Sequence, residues 1–207
     1  MTTMKILITF TEPLLGTSPR NEDIYRDFIG SKAPDALKLE EEVEALGAET
    51  VAEKGMTVFP RNEDGQPILW DYQVKGFFKD ACSMLAKVGG KDEDGKKKPA
   101  NESGKLKAYK KVIDGLIFVK PRQIILNHPG EVGICQRPLR AQTMQGERVA
   151  LSMSEELPAG TTAEMEITCL CDEHAAAVRE WLDYGILRGI GQWRNSGKGR
   201  FAWQELA

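Results

Sequence analysis

The chain has 207 residues, 41% of them hydrophobic and 29% charged, enough to bury a sizeable core and unlike the composition of a disordered or fibrous protein. Its formal net charge of −3 excludes a surface that coats nucleic acid throughout, because phosphate binding needs dense positive charge; any such site must be a local patch. The opening MTTMKILITF alternates apolar and polar residues, and so predicts neither a signal peptide nor a membrane span.

Residues 4–10 read as a first strand, with Met4, Ile6, Ile8 and Phe10 on alternate positions and Glu12-Pro13 ending it. A turn-rich stretch follows, then short helical patterns over 24–28 and 36–46, the second with Leu37, Val43 and Leu46 among glutamates. Asn62, Asp64, Gly65 and Pro67 lie between two apolar runs and predict a hairpin-like turn. From Gln73 to Lys87, the residues Val74, Phe77, Phe78, Ala81, Met84 and Leu85 fall at helical spacing, and Gly89-Gly90 stop the helix.

Residues 89–111 are rich in lysine and poor in large apolar groups, which predicts a flexible insertion without a packed core. Its lysines, Lys96, Lys97 and Lys98, either reach phosphates or are simply solvated. Beyond Val112 the chain reads as strand-rich: 112–119, 122–127, 131–136, 147–153 and 162–171, each bounded by Pro, Gly or Asn. Asp172 is the expected cap of a last helix whose buried stripe is Val178, Trp181, Leu182, Gly185 and Ile186, and Phe201 and Trp203 mark a final strand. With no fixed-period repeat and no clean linker, the prediction is one α+β domain over 1–207 with the insertion at 89–111.

Cys82, Cys135, Cys169 and Cys171 lack the spacing of a zinc site and the density of a disulfide scaffold, which fits a reduced cytoplasm. Cys169 and Cys171 continue the alternation of Met165 and Ile167 and read as strand residues rather than ligands. No metal site is expected: the cluster Asp92-Glu93-Asp94 sits in the lysine-rich loop, and Ser152 and Ser154 sit in no nucleophile elbow.

Within LRGIGQWRNSGKGRF, residues 187–201, Gly189, Gly191, Gly197 and Gly199 alternate with Arg188, Arg194, Lys198 and Arg200. Glycine permits close backbone approach and the basic side chains supply phosphate contacts, a combination suited to a polyanion such as RNA; the alternative is a polar hairpin turn. The glycines follow a helix and precede a strand, which is neither a dinucleotide fingerprint nor a P-loop. Trp70 and Tyr72 flank the Lys75-Gly76 pair and read either as base-stacking groups or as core residues.

The C-terminal strand, helix and basic glycine-rich loop resemble the signature of the RAMP superfamily, the ferredoxin-like RNA-binding proteins of CRISPR systems. WDYQVKGFFKDA at 70–81 and SEELPAGTTAEMEI at 154–167 resemble further stretches of its backbone subunits in the same order, and KILITFTEPLLGTS resembles their opening strand. The resemblance implies a ferredoxin-like, RRM-like fold and no metal or organic cofactor. It also implies contacts to single-stranded RNA, crRNA included, from Lys75, Gly76, Lys79, Arg188, Gly189, Gly191, Arg194, Gly197, Lys198, Gly199 and Arg200. CRISPR effector subunits are the implied protein partners, whether the chain acts singly or as an oligomer. The shortness and acidity of the chain, and the insertion at 89–111, depart from the family pattern.

Three functions compete on these grounds. The first is a non-catalytic RNA-binding protein. The second is a phage or mobile-element protein that interferes with a defence complex as an anti-CRISPR-type mimic or decoy, which the acidity motivates. The third is a metal-independent ribonuclease, whose acid–base chemistry would draw on His128 and His174 or on Tyr25 with Arg26 or Lys32.

Overall fold

The computed structural model describes residues 1–20, 56–91, 97–143 and 146–206. The helical patterns at 24–28 and 36–46, Tyr25, Arg26, Lys32, and residues 92–96 lie outside them. The described chain is a mixed α+β structure with antiparallel sheets.

The main sheet grows from β1 (Thr2–Phe10), whose alternation sends Met4, Ile6, Ile8 and Phe10 into the core. β1 lies between β12 (Thr162–Cys169) and β13 (Phe201–Leu206), and β12 in turn pairs with β8 (Ile117–Lys120). The order is β13-β1-β12-β8, every neighbour antiparallel, with Ile6 opposite both Met165 and Glu205. Two long helices join these strands. α1 (Asp71–Leu85) lies between β1 and β8 in the chain, and α4 (Glu173–Arg188) between β12 and β13. Their apolar stripes meet one face of the sheet, where Phe77 and Phe10 both touch Phe201 edge-on, at ring centroid distances of 5.5 and 6.0 Å.

The opposite face carries a different set. Alternation places Thr3, Lys5, Leu7 and Thr9 of β1 there, beside Thr162, Glu164, Glu166 and Thr168 of β12. Neither central strand has an aromatic residue on that face.

A second sheet is built on a long hairpin, β10 (Gly133–Thr143) with β11 (Gly146–Leu157). β11 also pairs with β2 (Leu14–Leu15) and, in parallel, with β4 (Thr57–Val58), which pairs with β3 (Ser18–Pro19). β5 (Ile68–Trp70) and β9 (Gln123–Ile125) form a small pair at the N-terminal end of α1, and Asn62 to Gln66 closes the expected turn through backbone and side-chain hydrogen bonds.

Several sequence expectations are corrected here. Residues 97–111 are not an unpacked loop. β6 (Gly89–Lys91) pairs with β7 (Lys97–Pro99), and α2 (Glu102–Lys105) and α3 (Tyr109–Leu116) follow. Composition missed this because the anchor is polar. Ser103 is 1% exposed, accepts from Trp181 Nε1 at 2.9 Å and donates to Glu180 Oε2 at 2.8 Å, while Leu106 and Tyr109 pack on the core. The strand expected at 112–119 is helix as far as Leu116, since only Ile113 of its first half turns inward and α3 packs on α1. Ile186 is 51% exposed, one residue off the face that buries Val178, Trp181, Leu182 and Gly185. Asp172 makes no side-chain cap; its carboxylate accepts instead from the Thr2 hydroxyl at 2.6 Å.

Cys169 is buried, and burial pushes its thiol up to about 11, which makes it inert at neutral pH. Among the described residues no helix is long and apolar enough to cross a membrane, and no cluster of His, Cys, Asp and Glu has metal-site geometry. The Ser103 anchor can be tested directly. Ser103→Ala strands the buried indole N–H of Trp181 and is expected to lower unfolding free energy by about 1–3 kcal/mol in urea titration; no loss would mean that α2 is not held by this network.

Candidate nucleic-acid interface

The glycine-rich segment leaves the end of α4 and returns to the sheet through a narrow neck. Ile190 N–H donates to Gly199 O at 2.9 Å, and Gly199 N–H donates to Pro13 O at 2.9 Å. Gly189 and Gly199 take φ values of +71° and +72°, and a Cβ on Gly189 would lie 2.7 Å from the Gly199 carbonyl carbon. Glycine is therefore required here by the chain's own closure, independently of any ligand. Gly197 and Gly191 lie further round the loop, the second against Leu14.

The loop is fastened to α1 by one carboxylate. Asp80 Oδ2 accepts from Arg188 Nε at 3.1 Å and from Arg194 at 2.5 Å, and Arg188 also reaches Asn195. Burial pushes the Asp80 carboxyl upward, but hydrogen bonds from both guanidinium groups and their charge outweigh it, and the net direction is down. Two arginines against one carboxylate leave one positive charge in excess.

Between loop and helix lies a cleft of about 230 Å³, lined by Thr17, Leu69, Gln73, Gly76, Phe77, Asp80, Ile190, Gly191 and Arg194. Gln73 is one of the fixed side chains of its lining. Its Oε1 accepts from the Trp70 N–H that opens α1, and its Nε2 donates to Thr17 Oγ1 at 2.7 Å. Gly76 forms part of the wall and has nothing within 4 Å of where a Cβ would stand. A glycine inside a helix costs about 1 kcal/mol relative to alanine, and among the described residues no packing requires it.

The candidates predicted from sequence separate into groups. Gly76, Gly191 and Arg194 line the cleft, and Arg188 stands behind Asp80. Lys75 and Lys79 lie on another flank of α1, where both reach Asp114 of α3, one at its carbonyl and one at its carboxylate; Lys75 also lies 5.0 Å from the Phe118 ring centroid. Lys198 pairs with Glu156 at 2.8 Å, and the Arg200 guanidinium folds beside Gly197 without an ion pair among the described residues. Trp70 and Tyr72 stack on each other with ring centroids 6.2 Å apart, and Arg122 lies 5.9 Å from the Trp70 ring centroid.

Sequence reading missed two participants. Arg137 of β10 lies 5.1 Å from the ring centroid of Trp193, and its guanidinium donates to Gln192 Oε1 at 3.0 Å. Gln192 in turn donates to Gly16 O and Thr57 Oγ1. Trp193 stood inside the basic motif but its exposure was the missing signal, and Arg137 is distant in sequence. The histidines do not meet. His128 sits in the turn after β9, where Asn127 bridges Thr162 at the start of β12, and His174 lies in the first turn of α4, beyond the other end of that strand, so the length of β12, roughly 25 Å at strand rise, separates them.

A depressed carboxylate contributes stability above its unfolded pKa of about 3.9 and loses it as pH falls through its lower folded value. Asp80→Asn is therefore expected to be less stable than wild type at pH 7, with the gap closing as both are taken below about pH 4. Urea midpoints across that range check this, and a gap independent of pH would remove the ionic clamp.

No family model and no curated protein matches the chain. Solved structures do. The fold is similar to a chain of the type III-B Cmr-beta complex bound to cognate target RNA, with a TM-score of 0.51 and 9% identity, all of this chain covering 59% of that one. It is similar also to a chain of a type IV-B CRISPR complex, with a TM-score of 0.53 and 11% identity, all of this chain covering 91% of that one. The chain thus spans less than two thirds of the first of these. At such identities the likeness is one of fold.

Proposed function

We propose that this chain is a CRISPR-associated, RAMP-like protein with a ferredoxin-like core that binds single-stranded RNA without cleaving it. The observation that carries the reading is the meeting of α1 and the glycine-rich loop at one cleft. Asp80 and Arg194 are 114 positions apart in the chain, yet the two stretches that suggested RNA from sequence form its two walls.

The β-α-β-β-α-β order of the core, with its sheet order β13-β1-β12-β8, supports the ferredoxin-like assignment. Likeness in fold to chains of two CRISPR complexes, one of them bound to RNA, supports the biological setting, with CRISPR effector subunits as protein partners. RNA is assigned to the helix-and-loop side rather than to the open sheet face. RRM-type sheets stack bases on aromatic side chains, and the central strands here offer Lys5, Leu7, Glu164, Glu166 and threonines instead. The separation of His128 from His174 supports binding without acid–base cleavage by that pair. No organic cofactor or metal enters this reading.

Contacts through Arg188, Arg194 and Arg200 would amount to about two or three phosphates. At a slope of about −0.7 per phosphate for single strands, affinity should fall about tenfold between 50 and 200 mM salt. Filter binding with single-stranded RNA is expected to show that slope, and R188A/R194A to flatten it and weaken binding at low salt. Undetectable binding at low salt, or an unchanged double variant, would overturn the proposal. Gly76→Ala separates stability from binding. It should raise unfolding free energy by about 0.5–1 kcal/mol, because alanine is the better helix former, while narrowing the cleft and weakening RNA affinity. A variant that gains stability and keeps full affinity would place the RNA elsewhere.

A further inference from the structure

Resting on the RNA reading of the cleft, we infer that Trp193 is a stacking platform for one unpaired nucleobase, with Arg137 fixed beneath it.

Four observations converge on this indole. Trp193 is 42% exposed although one side of its ring is occupied by Arg137, so a substantial part of a large aromatic surface still meets solvent. Its backbone is left-handed, with φ +51° and ψ +37°, a conformation that a bulky side chain adopts only where the surroundings enforce it and that clusters at ligand clamps. The enforcement is visible: Ser196 donates to Trp193 O from both its backbone N–H and its hydroxyl, at 3.0 and 2.8 Å. Among the described residues Trp193 is not one of the side chains packed against the hydrophobic core.

The cation beneath it is equally fixed. Arg137 is held by Gln192, whose amide is tied to Gly16 O and Thr57 Oγ1, and Thr57 donates to Ser154 Oγ at 2.8 Å. Three separate segments therefore lock the pair in place. Unlike Arg188, Arg194 and Lys198, Arg137 has, among the described residues, no carboxylate that pairs with its charge beside the indole.

Position completes the case. Trp193 directly precedes Arg194 and is two residues from Gly191, both of which line the cleft. A strand whose phosphates meet the arginines would carry its neighbouring base to the exposed ring. Stacking of this kind is tolerant of sequence, because every base has a π-face, so the platform would favour a splayed, unpaired base over duplex.

The experiment compares short oligoadenylate with an abasic ribose-phosphate oligomer of equal length, by fluorescence anisotropy on the full chain. Wild type is expected to bind oligoadenylate about tenfold more tightly, in the range reported for one base–aromatic stack. Trp193→Ala should bind both oligomers at the abasic affinity, whereas Trp193→Phe should keep most of the preference. Trp193→Gly, which relieves the left-handed backbone, should fold at least as well as wild type and still lose the preference. Equal binding of both oligomers by wild type, or an intact preference in Trp193→Ala, would overturn the platform while leaving the cleft's phosphate contacts standing. If neither oligomer binds, the RNA reading falls and the platform with it.

Discussion

A single carboxylate governs the geometry of the candidate interface. Asp80, on α1, takes hydrogen bonds from Arg188 at the end of α4 and from Arg194 within the loop. Glycine loses more conformational freedom on ordering than any other residue, and this tie adds to the Gln192 hydrogen bonds and the Lys198–Glu156 pair in holding the glycine-rich segment in one position. With it, the loop becomes the second wall of a cleft whose first wall is α1. The neck formed by Gly189 and Gly199 fixes where the segment leaves and rejoins the core; Asp80 fixes how it leans.

The same arrangement reconciles an acidic chain with a polyanionic ligand. Most of the cations that make the C-terminal motif look basic are partly neutralised in place: Arg188 and Arg194 by Asp80, and Lys198 by Glu156. What remains is a modest local excess carried by the arginine pair, Arg200 and Arg137. Pairing each cation to a fixed carboxylate orders flexible side chains before a ligand arrives, which lowers the entropy lost on binding. A less charged but better ordered patch suits a protein that must grip a strand locally rather than coat it.

Much of the core was legible from periodicity. β1, α1, β12, α4 and β13 lie close to where alternation and helical spacing predicted them, because each buries one face against a common core and that burial leaves a repeating signature. The failures have physical causes. α2 is anchored by Ser103, Trp181 and Glu180, a buried hydrogen-bond network that hydropathy scores as polar surface. Residues 112–116 are apolar enough to pass for a strand and became helical only through packing on α1. Ile186 was one residue beyond the stripe that α4 presents to the sheet.

The sequence by itself determined the α+β character, the alternation of the central strands, the glycine–basic pattern of the loop and its place between a helix and a strand. These are local properties, set by residue type and spacing. Only the tertiary structure decided which cations face the cleft and which are spent on carboxylates, that Lys75 and Lys79 turn toward Asp114, and that Arg137 comes to lie against Trp193. Each of those outcomes joins residues far apart in the chain, and such pairings leave no trace in local spacing because they arise from how the elements pack.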